Sequence, residues 1–181
     1  DSFDDLIIIS QGYDAKPFNL GEIGVSLSSP KGLGPVRVIS TKTDFYHAGA
    51  AGDIDNDGDV DIVSRGRPGV IAYINDGSGQ LFEEKVLLAK KSIPALELVD
   101  INNDGFMDLL VGNQVGSDHP GNNKLYVNNG DGTFTDISES SGISENVRTR
   151  CVSMADYDND GYLDLYVVNF GTNGPGNRLY H

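Results

Sequence analysis

Short apolar runs alternate with clusters of Gly, Asn and Asp along the whole chain. Leu6–Ile9, Ile23–Leu27 and Val36–Ile39 are followed by Ile62-Val63, Ile71–Asn75, Val86–Leu88, Leu109–Val111, Lys124–Asn128 and Leu165–Val168. Runs of this length, rich in Val, Ile, Leu and Tyr and bounded by turn residues, predict many short β-strands. Gly and Pro interrupt almost every window long enough for an amphipathic helix.

The pattern repeats. Asp53-Ile-Asp-Asn-Asp-Gly-Asp-Val-Asp61, Asp100-Ile-Asn-Asn-Asp-Gly-Phe-Met-Asp108 and Asp156-Tyr-Asp-Asn-Asp-Gly-Tyr-Leu-Asp164 align without gaps, with starts 47 and 56 residues apart. A second echo carries Tyr73, Tyr126 and Tyr180, and the first two copies continue through a Gly-rich turn to Phe82 or Phe134. Each unit reads as four strands. A small-residue strand (His47–Gly52, Cys151–Ala155) precedes the Asp loop, and the second strand carries Ile62, Leu109 or Leu165. The tyrosine strand follows, and the last runs from Phe82 through Val86–Leu88, or from Phe134 to Ile137. Four-stranded units at this period predict an all-β fold, a β-propeller, with the small first strand innermost. A β-solenoid or an array of hairpins is the alternative, but the strand count per repeat is high for a solenoid coil. The expected organisation is residues 1–44 as N-terminal strands, 45–92 and 93–147 as blades, and 148–181 as an incomplete blade. Within 1–44, Val36–Ile39 is expected as the outer strand of a preceding blade or as a ring-closing strand.

The loops carry the chemistry. Alternate carboxylates at positions 1, 3 and 5 turn oxygens towards one centre, Gly58, Gly105 and Gly161 permit the sharp turn, and the position-7 carbonyl adds a donor. The expected ligands are Asp53, Asp55, Asp57, Asp59 (carbonyl) and Asp61; Asp100, Asn102, Asp104, Phe106 (carbonyl) and Asp108; and Asp156, Asp158, Asp160, Tyr162 (carbonyl) and Asp164. Hard cations such as Ca²⁺ take six to eight oxygens, so one Ca²⁺ per loop is the expectation. Two features argue against an EF-hand: Ser64, Val111 and Val167 stand where its position-12 Glu belongs, and the flanks are strand-like. A solvated Asn-Asp-Gly turn would explain one copy alone, whereas three in one register favour metal. Apolar position 8 (Val60, Met107, Leu163) is expected to anchor each loop to a core. Asn102 brings no charge, so the second site is expected to be the weakest.

These loops, with the downstream Asn129-Gly-Asp-Gly-Thr-Phe134 turn, resemble FG-GAP/VCBS repeats. The Asn177–Tyr180 element and the third loop are most similar to the group related to cartilage acidic protein. The resemblance covers about residues 45–181. It implies a seven-bladed, integrin α-like propeller with Ca²⁺ between the first two strands of a blade. It also implies a secreted or cell-surface location. About three blades do not close such a ring, so the rest of the propeller or another copy of the chain is expected to complete it.

The chain has 181 residues and a net charge of −14, with 27 acidic against 13 basic side chains. Nucleic acid and anionic membrane surfaces both need clustered positive charge, so neither is an expected partner. The longest aliphatic run, Leu6–Ile9, is far short of a bilayer span. No charged-then-apolar leader opens the sequence, as expected of a mature or trimmed form. Cys151 is the single cysteine, which excludes an internal disulfide.

Beyond calcium, His47, Pro94 and Arg150 each stand six residues before a first loop Asp. With Arg148 they mark a candidate anion or sugar site at the channel mouth, against the plainer reading of unrelated strand ends. His119 with Asp118 is expected as solvated loop, and the repeated tyrosines as packing. Two function classes remain open at this point. One is a calcium-stabilised module for adhesion or recognition of protein or carbohydrate; the other is a polysaccharide lyase or hydrolase on the same scaffold. The first is favoured, because the only residues with a chemical signature are the loop ligands.

Overall fold

The computed structural model describes residues 4–10, 21–42, 44, 46, 48–66, 69–80, 82–89, 95–113, 122–144, 147–170 and 176–181. These residues form sixteen strands and no helix. The N-terminal part holds β1 (Leu6–Ile9), β2 (Ile23–Ser26), β3 (Ser28–Ser29), β4 (Gly32–Leu33) and β5 (Arg37–Val38). The first repeat builds β6 (Gly49–Gly52), β7 (Asp61–Gly66), β8 (Gly69–Asn75) and β9 (Phe82–Leu88). The second builds β10 (Ala95–Val99), β11 (Asp108–Gly112), β12 (Lys124–Asn128) and β13 (Phe134–Asp136). The third builds β14 (Thr149–Ala155), β15 (Asp164–Asn169) and β16 (Arg178–Tyr180).

Each repeat folds into its own antiparallel meander, in the orders β6-β7-β8-β9, β10-β11-β12-β13 and β14-β15-β16. These are blades of a β-propeller, the all-β architecture expected from the repeat. Residues 1–44 contribute a further sheet, β1-β2-β5, with β3-β4 as a small separate hairpin. The Val36–Ile39 segment thus supplies the outer strand of the sheet built by its own neighbours.

The strand period of two explains how the blades stack. Ile62, Ile71 and Tyr73 face the N-terminal sheet and pack with Ile23 and Val25. Val63, Val70 and Ala72 leave the other face of the same strands and meet Leu96, Leu109 and Val111. Leu110 then turns the opposite way, onto Val152, Leu165 and Val167. Alternate residues of one strand therefore serve two different inter-blade cores. Both are fully buried, which is why these strands read as continuous apolar runs instead of alternating ones. First strands of consecutive blades lie side by side. The crowding there explains the small residues: a Cβ on Gly49 would sit 2.0 Å from Ile9 Cδ1 and 2.9 Å from the Val63 carbonyl. Tyr73 is buried, while Tyr126 and Tyr180 are half-buried against the inter-blade cores, so the repeated tyrosines are packing residues.

Candidate metal centre

All three Asp loops join the first strand of a blade to its second, and all three adopt one conformation. Position 4 is left-handed in each, with φ of 61° at Asn56, 59° at Asn103 and 61° at Asn159. Asn tolerates this region because its short amide bonds locally. Position 6 follows at φ of 95°, 91° and 92° for Gly58, Gly105 and Gly161, where a side chain would be strained. Two left-handed residues so close together curl the loop and turn its carboxylates inward.

Backbone amides then fix the carboxylates of positions 1, 5 and 9. The position-1 aspartates accept from positions 5 and 6: Asp53 from Asp57 and Gly58, Asp100 from Asp104 and Gly105, Asp156 from Asp160 and Gly161, at 2.9–3.2 Å. Position 5 accepts from the amide of position 7 at 2.9 Å in every copy. Position 9 accepts from the amide of position 2, Asp61 from Ile54, Asp108 from Ile101 and Asp164 from Tyr157. The second oxygen of Asp61 accepts from the Asn75 amide, and that of Asp108 from the Asn128 amide.

The anchor differs from the expectation. Val60, at position 8, is 55% exposed, whereas Asp61, Asp108 and Asp164 are buried. Position 9 is the first residue of the second strand and points into the blade, so the carboxylate, with two donors in place, takes the anchoring role. Met107 does pack, against Leu98 and Gly52 of the neighbouring first strands.

The clustered carboxylates act on one another's protonation. Burial, then the neighbouring Asp57 and Asp53 charges, push the Asp55 carboxyl above its ordinary range. Burial does the same for Asp61 and Asp108, against the amides that hold them. Asp164 is instead held low by the Tyr157 amide and the His181 imidazole. That ring lies 2.8 Å from Asp164, 3.5 Å from Asp158 and 3.8 Å from Asp160, and these carboxylates raise its own affinity for a proton.

The donor set fits a hard divalent cation. Carboxylate oxygens of Asp53, Asp55 and Asp57 lie within 4.8 Å of one another, as do those of Asp156, Asp158 and Asp164. Two oxygens on opposite sides of a calcium ion, each at about 2.4 Å, are separated by about that distance. Asp158, Asp160 and His181 form a third such group. In the second loop the Asn102 amide donates to Asp104 Oδ2 at 2.8 Å, while its oxygen accepts from the Asp104 amide. The neutral residue thus relieves within the loop a repulsion that the other two retain.

Several residues that place the loops are not among the expected ligands. Asn75 and Asn128 each give a backbone amide to position 9 and a side-chain amide to the position-8 carbonyl. Their signal in the sequence is the Tyr-x-Asn echo of the first two copies. At the other end of the blades, Asn113 donates to the Asn123 side chain and Asn169 to the Asn177 side chain, at 3.0 and 3.1 Å. These matching clasps close the connections from second to third strand. Thr149 bridges them, donating to Asn123 at 2.7 Å with Asn169 Oδ1 at 3.2 Å. His47, Pro94, Asp118 and His119 lie outside the described residues; Arg148 and Arg150 are exposed at the start of β14.

Three hairpin loops of one geometry, each held between the first two strands of a blade, define a repeat-built propeller chain with a candidate cation loop in every repeat. The chain belongs to the FG-GAP-like repeat family, whose model matches residues 53–111 and again residues 100–167. It is similar to cartilage acidic protein 1 of Xenopus tropicalis and of Homo sapiens, 43% identical to each over 61 residues. That match covers 33% of this chain and 9% of either relative, so the chain spans a small part of their length. Among solved structures it is similar to an Agrocybe aegerita lectin described as specifically recognising non-reducing terminal N-acetylglucosamine. The TM-score is 0.55 at 17% identity, over 98% of this chain and 52% of the lectin. That likeness is one of fold.

Proposed function

We propose that the chain is part of a secreted or cell-surface propeller in which three Ca²⁺ ions stabilise the blade loops and the loop faces recognise protein or carbohydrate. The observation that carries the metal reading is the convergence of the Asp53, Asp55 and Asp57 oxygens within 4.8 Å, in a loop whose hydrogen bonds recur in the other two repeats. A bound Ca²⁺ would neutralise the carboxylates and bind the two halves of each loop to one centre. Asp53, Asp55, Asp57, Asp61 and the Asp59 carbonyl would hold the first ion; Asp100, Asn102, Asp104, Asp108 and the Phe106 carbonyl the second; and Asp156, Asp158, Asp160, Asp164 and the Tyr162 carbonyl the third. The chain's own part is to hold these oxygens in place through amides that leave further lone pairs open. Recognition is supported by the family and by the lectin named above, whose sugar specificity is its own. No described helix is long and apolar enough to cross a membrane.

Equilibrium dialysis with calcium, read by elemental analysis, tests the metal reading. Binding of three equivalents that chelator removes is the expected result, and fewer than one would overturn it.

A further inference from the structure

The end of the third blade opposite its Asp loop carries a β-bulge beside an exposed aromatic ring. In β14 the pairing runs Thr149 with Asn169 and then Cys151 with Val168, so Arg150 is the extra residue of a β-bulge. The described first strands of the other two blades, Gly49–Gly52 and Ala95–Val99, pair without a register shift, and the counterparts of Arg150 lie outside the described residues. Bulges re-aim side chains, and this one lays the Arg150 guanidinium over the Phe170 ring, 4.8 Å from its centre. Phe170 is 54% exposed. Its backbone is fixed: the Phe170 amide donates to the Arg148 carbonyl at 2.7 Å, and Asn169 beside it is locked by the Asn177 clasp. Arg148 is exposed two residues before Arg150, and neither guanidinium is in an ion pair among the described residues.

We propose that Arg148, Arg150 and Phe170 form a docking ledge for a carboxylated sugar residue of an acidic polysaccharide. A guanidinium stacked on an aromatic ring keeps its in-plane N–H donors pointing outward, in the fork that matches a carboxylate. Arg148 adds a second cation. The exposed remainder of the Phe170 ring offers an apolar surface to the C–H face of a sugar. An acidic peptide would supply the carboxylate and leave that surface bare, so the pairing of ring and guanidinium favours a uronic acid. The charge of −14 does not oppose this locally. The third Asp loop lies at the other end of β14, about 20 Å away at strand rise, more than two screening lengths at physiological salt.

The ledge deepens the recognition reading and is independent of the metal loops, so its test is run on the full chain in calcium. A fluorescent glucuronic acid hexamer is titrated, with a glucose hexamer and hexaglutamate as competitors. The ledge predicts saturable binding of the glucuronate hexamer, with the two competitors at least tenfold weaker. Arg150→Gln should weaken binding at least tenfold and Phe170→Leu severalfold. Arg150→Lys should also lose severalfold, since it keeps the charge but not the fork or the stacking. No binding at millimolar hexamer, hexaglutamate competing equally, or an Arg150→Gln variant binding like the parent would each overturn the proposal. The calcium-induced rise in melting temperature, read in the same samples, reports separately on the metal reading and should be equal in all variants.

Discussion

The Asn128 side chain donates to the carbonyl of Ile54 at 2.8 Å, across 74 residues of sequence. Asn128 closes the second blade's own loop through its backbone amide on Asp108, and Ile54 is position 2 of the first loop. One buried amide group therefore ties neighbouring loops together. Asn128→Leu, which keeps the branched shape but removes the polar atoms, leaves the Ile54 and Met107 carbonyls and the Gly130 amide without this partner. It should cost about 1–3 kcal/mol in urea unfolding. It should also weaken calcium binding at the first loop, although Asn128 is no ligand there.

The second loop should respond to charge. Asn102→Asp restores the residue type of the other two copies, and titration should show tighter calcium binding at that site. Without calcium the same variant should be less stable than the parent, because the bond from Asn102 to Asp104 becomes a repulsion. Asp57→Ala and Asp160→Ala should each lose more metal affinity than Asn102→Ala. Equal losses in all three would show that charge does not rank the sites.

Glu97 gives the fold a pH dependence. It stands in β10 between the second and third blades, with Oε1 accepting from the Met154 amide at 3.3 Å and Oε2 buried with no hydrogen-bond partner among the described residues. Burial, opposed by that amide, raises its carboxyl above the ordinary glutamate range. A raised acid holds its proton longer in the folded form, so its penalty is absent below pH 4.5 and grows as pH rises through the folded value. Glu97→Gln should therefore be more stable than the parent at pH 7, by about 1 kcal/mol. The two should converge near pH 4 in melting experiments.

Equivalent positions of successive second strands should differ in cost. Leu110 is fully buried between blades, while Tyr166, its counterpart in the third, is 43% exposed on the outer face of that blade. Leu110→Ala should cost about 2–5 kcal/mol, and Tyr166→Ala less than 1 kcal/mol. Once a further sheet of the same kind is packed on this face, Tyr166→Ala should become as costly as Leu110→Ala.

The repeat made most of the fold legible. Loop residues such as Gly58, Gly105 and Gly161 obey a local steric rule, and the runs at Ile62, Leu109 and Leu165 follow the strand period, so both are readable one segment at a time. What stayed hidden depends on partners far apart in sequence. The bond from Asn128 to Ile54, the Asn113–Asn123 and Asn169–Asn177 clasps and the Arg150 bulge exist only once strands are in register. Apolar character at position 8 predicts burial of Val60, Met107 and Leu163, yet Val60 is exposed. The structure gives the anchoring role to Asp61, whose charge is tolerated there because two amides meet it. His181 directly follows β16, and the β15-β16 pairing brings it to the third loop's carboxylates.

The central claim, that the Asp loops hold calcium which stabilises the blades, is tested most directly by thermal unfolding in millimolar Ca²⁺ and again in chelator. A ligand at a hundredfold excess over its Kd adds about 2.7 kcal/mol per site when it binds only the folded form. For three sites the midpoint should rise by more than about 10 °C. The shift should shrink in Asp57→Ala and Asp160→Ala. A midpoint that does not move between calcium and chelator would contradict the account.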